Sequence, residues 1–189
     1  MRVLEISFFL WVAACFAAAC FIKRPVSKRD VTLLRLAMGL TAAADFCMLV
    51  LGRDLPGLLF FIAAQSVYVL RYANIKWWPP MYGCAALLAG GLAADGADLL
   101  TWLAGAYGAC LLWALGTAIV RAARAKKQPP YWWSAVGMVL FLGCDICVGL
   151  YQLPAMAGVW PVIWVFYLPS QAMLMWSGRG NGNTISIDN

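Results

Sequence analysis

Residues 131–151 read YWWSAVGMVLFLGCDICVGLY, a run of 21 residues that carries one charge, Asp145. An α-helix needs about 20 mostly apolar residues to cross the hydrocarbon of a bilayer. Tyr131, Trp132 and Trp133 stand at one end of the run. Amphipathic rings settle at that place, level with the lipid headgroups. The stretch therefore reads as a transmembrane helix with a carboxyl inside it. Six further runs follow the same rule, at 4–22, 31–51, 55–72, 77–94, 98–120 and 157–176. The expected fold is an all-α, polytopic bundle of about seven helices. It forms one domain over residues 1–176, with a flexible polar tail over 177–189.

The composition leaves no soluble alternative. Of 189 residues, 64% are hydrophobic and 12% charged, with a mean hydropathy of +0.79. Soluble domains run near 45–50% and about 25%, so this chain cannot cover itself with polar groups. The first run resembles a secretory leader, but its only early base is Arg2, offset by Glu5, and it continues past Cys15. It is read as a retained helix.

The net charge of +6 does not point to nucleic acid, because the bases gather in short loops. Lys23, Arg24, Lys28 and Arg29 follow the first run; Arg121, Arg124, Lys126 and Lys127 follow the fifth. The intervening loops hold few or no bases. By the positive-inside rule the N-terminus is outside and the C-terminus cytoplasmic, as in a bacterial inner membrane. The chain has no histidine, which removes His-ligated metals, His triads and His proton relays. No metal or cofactor is expected. Cys144 and Cys147 form one CxxC without a second pair and are read as small buried packing residues.

Asp45 and Asp145 do not suit a passive bundle. Each lies about six residues inside the outer end of its run, roughly 9 Å deep at ~1.5 Å per residue. A central Asp costs about 2.5–3.5 kcal/mol on insertion scales. The stretches Ala44-Asp45-Phe46-Cys47 and Cys144-Asp145-Ile146-Cys147 share an Asp-apolar-Cys core. Each is followed by a returning run with a central glutamine, Gln65 and Gln171, which lie 20 and 26 residues after their aspartates. Runs two–three and six–seven can therefore be parallel copies of one hairpin. Tyr68 is three residues after Gln65, Tyr167 four before Gln171, and Thr41 four before Asp45, so each shares a helix face with its neighbour. The candidate constellation is Asp45, Asp145, Thr41, Gln65, Tyr68, Tyr167 and Gln171. Two carboxyls brought together out of water do not both ionise, so one serves as acid and the other as base. Such a pair can protonate a substrate and deliver water.

These residues resemble the motifs of the lysoplasmalogenase (YhhN-like) family of integral membrane proteins. That family's Ser-x-x-Gly-Asp is similar to Thr41-Ala42-Ala43-Ala44-Asp45. Its Gly-x-x-x-Phe-x-x-x-His-x-x-Tyr is similar to Gly57 through Phe61 to Gln65-Ser66-Val67-Tyr68. Its Phe-x-x-Ser-Asp-Ser is similar to Phe141-Leu142-Gly143-Cys144-Asp145-Ile146, and its Tyr-x-x-x-Gln to Tyr167 through Gln171. Lys23-Arg24-Pro25 stands where the family has Lys-Pro. The chain is a divergent member by this comparison. Gln65 replaces the family histidine, Cys144 and Ile146 replace two serines, and seven runs stand where the family usually has eight helices.

The resemblance implies hydrolysis of the vinyl-ether bond of a lysophospholipid substrate within membrane lipid. Asp45 and Asp145 would be catalytic; Thr41, Gln65, Tyr68, Tyr167 and Gln171 would bind substrate. Two other readings compete: a small-solute transporter with a 3+1+3 helical plan, and an inactive lipid-binding relative. Release of aldehyde from a lysoplasmalogen separates them.

Overall fold

The computed structural model describes residues 2–73, 99–125 and 128–180. Six α-helices form among these residues: α1 (Arg2–Cys20), α2 (Lys28–Asp45), α3 (Asp54–Tyr72), α4 (Leu99–Arg124), α5 (Pro129–Tyr151) and α6 (Trp160–Trp176). The expected run at 77–94 lies outside the described residues. α2 continues as a π-helical turn, Phe46–Val50, and a 3-10 segment, Pro154–Val159, joins α5 to α6. Among the described residues, four stretches are long and apolar enough to cross a membrane: Lys28–Val50, Asp54–Tyr72, Leu99–Arg124 and Pro129–Tyr151. Large apolar side chains point outward all round, among them Leu112, Val139 and Val165. Lipid, not water, is the solvent that such a surface suits. The protein is an all-α, multi-pass membrane protein.

The helix directions follow from one buried ion cluster. Ser27 caps α2, its hydroxyl accepting from the backbone N–H of Asp30 at 3.1 Å. That places the Asp30 carboxylate in the first turn, where the helix dipole favours an anion. Arg71, in the last turn of α3, donates to it through Nε and Nη2 at 3.1 and 2.8 Å. Arg121, in the last turn of α4, donates through Nη1 at 2.9 Å. All three side chains are buried. α2 therefore runs opposite to α3 and α4, and the latter two are parallel neighbours. Arg71 also donates to the Ser177 carbonyl at 3.3 Å, so α6 ends on the same level. We call this level the basic end.

The sequence reading placed Arg121 after the fifth run as a topology signal. It is instead part of an internal junction of three helices, with Asp30 and Arg71. The polar segment that begins at Ser177 is also held at its start. Val26 N–H donates to the Gly178 carbonyl at 3.2 Å, and Gly180 N–H to the Arg24 carbonyl at 2.7 Å, around a Pro25–Arg179 bridge.

Near the opposite end, close packing depends on small residues. A Cβ on Gly57 would run into the Met48 side chain and come within 3.2 Å of the Ala44 carbonyl oxygen. Gly57 thus lets α3 lie directly on the π-helical turn. In the hairpin of α5 and α6, Gly143 admits the Phe166 ring and, toward the basic end, Gly137 admits Leu174.

Candidate functional site

Asp45 is the last residue of α2, immediately before the π-helical turn. There the Leu51 N–H reaches back five residues to the Phe46 carbonyl at 3.0 Å. Such turns take in one extra residue and recur at functional positions. Asp45 is 4% exposed. Its carboxylate accepts a hydrogen bond from the Tyr167 hydroxyl of α6 at 2.5 Å. α6 is irregular here too. Pro169 lies inside it, two residues after Tyr167, and cannot donate a rung of the helical ladder. Irregular backbone within a membrane is tolerated where protein or a cavity surrounds it.

Asp145 lies in α5, half-buried. Its carboxylate accepts a hydrogen bond from the Tyr107 hydroxyl of α4 at 2.5 Å. The two carboxyls are near enough for Asp145 to act electrostatically on Asp45, and the Cys144 thiol lies within the same range of both. Tyr107 and Tyr167 are likewise in electrostatic range of one another. The result is two Asp–Tyr pairs drawn from α2, α4, α5 and α6.

Phenylalanines hold the two tyrosines in place. Phe61 packs on Tyr107 with ring centroids 5.7 Å apart, and edge-on to Phe141 at 6.2 Å. Phe141 packs edge-on to Tyr167 at 5.6 Å. Tilted and edge-to-face contacts at these separations are the favoured aromatic geometry. One continuous layer, Tyr107–Phe61–Phe141–Tyr167, thus connects the two pairs.

Gln65 and Gln171 are fully buried, and none of their four amide nitrogen and oxygen atoms has a hydrogen-bond partner. The Gln65 side chain approaches the Tyr107 hydroxyl. Gln171 stands one helical turn beyond Tyr167. A buried polar group without a partner costs about 1–3 kcal/mol, so two such amides within the bundle are suited to a polar ligand.

Two other candidates are placed differently from the reading of the sequence. Thr41 donates to the Ala37 carbonyl of its own helix at 3.0 Å, as a threonine inside a helix can. Tyr68 is fully buried, stacked on Tyr72 with centroids 5.9 Å apart, and its electrostatic neighbours are Tyr72, Arg71 and Cys15. That direction is toward the basic end.

Tyr107 is the candidate-site side chain that sequence reasoning missed. Gly105-Ala106-Tyr107-Gly108 reads as small-residue packing, and Tyr107 is 38 residues from its partner. A lone hydroxyl-bearing ring among small residues was the available signal. The expected equivalence of two hairpins also does not extend to these bonds. Tyr167 of the second hairpin serves Asp45, but Asp145 is served from α4, not from Tyr68 of the first.

A polytopic helical bundle with two intramembrane aspartates, each bonded to a tyrosine hydroxyl, defines the class: an integral, multi-pass membrane protein. The sequence profile of the YhhN family, the family of lysoplasmalogenases, matches residues 5–178, and the chain belongs to that family. No curated protein and no solved structure matches it.

Proposed function

We propose that the protein hydrolyses the vinyl-ether bond of lysoplasmalogens, with Asp45 and Asp145 as the acid–base pair. The observation that carries this reading is the two intramembrane carboxylates, each bound by a tyrosine hydroxyl, in a bundle that also buries two unpartnered glutamine amides. Family membership supports the same reading at the level of substrate class.

A vinyl ether reacts when a proton is added to its β-carbon. One aspartic acid supplies that proton, and the double-bond electrons leave an oxocarbenium ion on the α-carbon and ether oxygen. The other carboxylate stabilises this cation and takes a proton from water as the water oxygen bonds to the α-carbon. The resulting hemiacetal collapses to a fatty aldehyde and a free glycerol hydroxyl. The sum is addition of one water, with no net redox change and no cofactor. Gln65 and Gln171 hold water and glycerol oxygens. Tyr107 and Tyr167 fix the carboxylates and set which oxygen of each is left to react.

Tyr167→Phe and Tyr107→Phe test the pairing. Each removes one hydroxyl donated to a charged acceptor, worth about 1.5–3 kcal/mol. Aldehyde release should fall by roughly 10–100-fold in each variant, with the bundle still folded. Unchanged rates in both would remove the tyrosines from the mechanism. Wild-type protein that folds, binds lysoplasmalogen and releases no aldehyde would refute the hydrolase.

We further propose that the basic end faces the cytoplasm, because Lys23, Arg24, Lys28, Arg29 and Arg124 gather there. The N-terminus and the carboxylate pair are then nearer the outer face. Reporter fusions after residues 97, 126 and 189 check this. An external signal is expected at 97 and internal signals at 126 and 189. The reverse pattern would overturn the orientation.

A further inference from the structure

At the basic end a cavity of about 610 Å³ opens where the chain leaves α1, enters α5 and leaves α6. Three cationic side chains line it, Lys23, Arg24 and Arg179, and so do three aromatic ones, Phe21, Trp133 and Trp176. The cations are exposed, and among the described residues the only salt bridges are those of Asp30 with Arg71 and Arg121. The carbonyls at the end of α1 do not consume them. Arg35 reaches across from α2 and donates to Ala19 and Cys20 carbonyls at 3.1 and 2.9 Å. The bonds that fold residues 178–180 onto residues 24–26 are made by backbone atoms, which leaves the Arg24 and Arg179 head groups for other partners. Arg179 lies over the Trp176 ring at 4.4 Å, an arrangement that steadies a guanidinium without neutralising it.

The aromatic residues are the second half of the site. Phe21 is 79% exposed, and Trp133 and Trp176 are exposed on the outer surface of the bundle. Tryptophans at this level occupy the boundary between hydrocarbon and headgroups. The cavity is therefore lined by both cationic and aromatic side chains. Its size lies within the ~300–1,000 Å³ of ligand sites.

We propose that this cavity binds one anionic glycerophospholipid. Its phosphate lies among Lys23, Arg24 and Arg179, and an acyl chain runs down past Trp133, Phe21 and Trp176. The site is distinct from the carboxylate pair. Asp30 marks the basic end of α2 and Asp45 its far end, 15 residues apart, or roughly 22 Å at ~1.5 Å per residue. A lysolipid whose ether oxygen lies at the carboxylates cannot place its phosphate here, so the bound lipid is a second, non-reacting molecule.

The test is a lipid titration of the purified full chain in detergent, read by native mass spectrometry. The probes are dioleoyl-phosphatidylglycerol and dioleoyl-phosphatidylcholine, with inorganic phosphate as competitor. One phosphatidylglycerol should bind at least tenfold more tightly than phosphatidylcholine. The Lys23→Gln, Arg24→Gln, Arg179→Gln triple variant should lose on the order of 100-fold, about fivefold for each charge. The charge-preserving variant Lys23→Arg, Arg24→Lys, Arg179→Lys should retain the wild-type preference, which separates lost charge from lost fold. Trp133→Ala should weaken both lipids alike. Equal affinity for the two lipids would overturn the proposal. So would full phosphatidylglycerol affinity in the Gln triple variant, or its displacement by inorganic phosphate at millimolar concentration, which would mark a site for free anions.

Discussion

Asp45→Asn and Asp145→Asn should each lower aldehyde release from a lysoplasmalogen by about 10²–10⁴-fold, the usual contribution of general acid–base catalysis. Asparagine keeps the size of the side chain and can still accept from Tyr167 or Tyr107, whose hydroxyls donate to the carboxylates at 2.5 Å. It cannot deliver an acidic proton. The fold should survive both changes, because each removes a buried acid that is costly within lipid. Single-turnover assays with size-exclusion profiles distinguish lost chemistry from lost fold. Activity that persists in both variants would leave a hydrolase but remove the carboxylate pair. Gln65→His adds a finer measurement. Gln65 stands where the sequence resemblance puts a histidine, and it approaches Tyr107, so a titratable ring there should preserve or raise the rate if this residue lines the site.

The second large effect is on stability. Asp30→Asn should destabilise the protein by about 3–5 kcal/mol, the range for breaking a buried ion pair by removing one partner. The carboxylate holds Arg71 and Arg121 at once, and both pairs are sealed from solvent. A neutral amide leaves two guanidiniums facing each other. The apparent Tm in detergent should fall by about 10 °C or more. Arg71→Met should cost less, because Asp30 keeps its bond from Arg121 at 2.9 Å. A Tm within a degree or two of wild type for Asp30→Asn would mean that the junction contributes little. Since this junction lies a full helix away from the carboxylate pair, the variant's residual activity at low temperature should stay near normal.

Helices and intramembrane acids were legible in the sequence for a simple reason. A run such as 131–151 states its solvent through composition, and a lone Asp within it stands out against every neighbour. What stayed hidden was pairing across distance. Asp30 lies 41 residues from Arg71 and 91 from Arg121, and each sits at the edge of its run, where charges ordinarily meet water. Their burial depends on three helix ends arriving at one level, which periodicity does not encode. Tyr107 was hidden in the same way, since its role exists only through a partner on another helix. The π-helical turn after Asp45 leaves no mark in Phe46–Val50, an apolar stretch that an ordinary helix would also accept. Glycine gave a partial signal. Gly57 was noticed as part of a motif, but its physical task, contact with Met48 and the Ala44 carbonyl, needed coordinates.

The three-way ion junction also bears on how a lipid gains entry. It fastens α2, α3 and α4 at one level and ties in the end of α6 through the Ser177 carbonyl. At the other end Asp45 of α2 is bonded to α6 and Asp145 of α5 to α4 through tyrosine hydroxyls, with ring contacts alongside in place of ion pairs. A lipid arriving beside the acids would thus meet neutral contacts, while the charges of the protein's ion junction are already spent on one another.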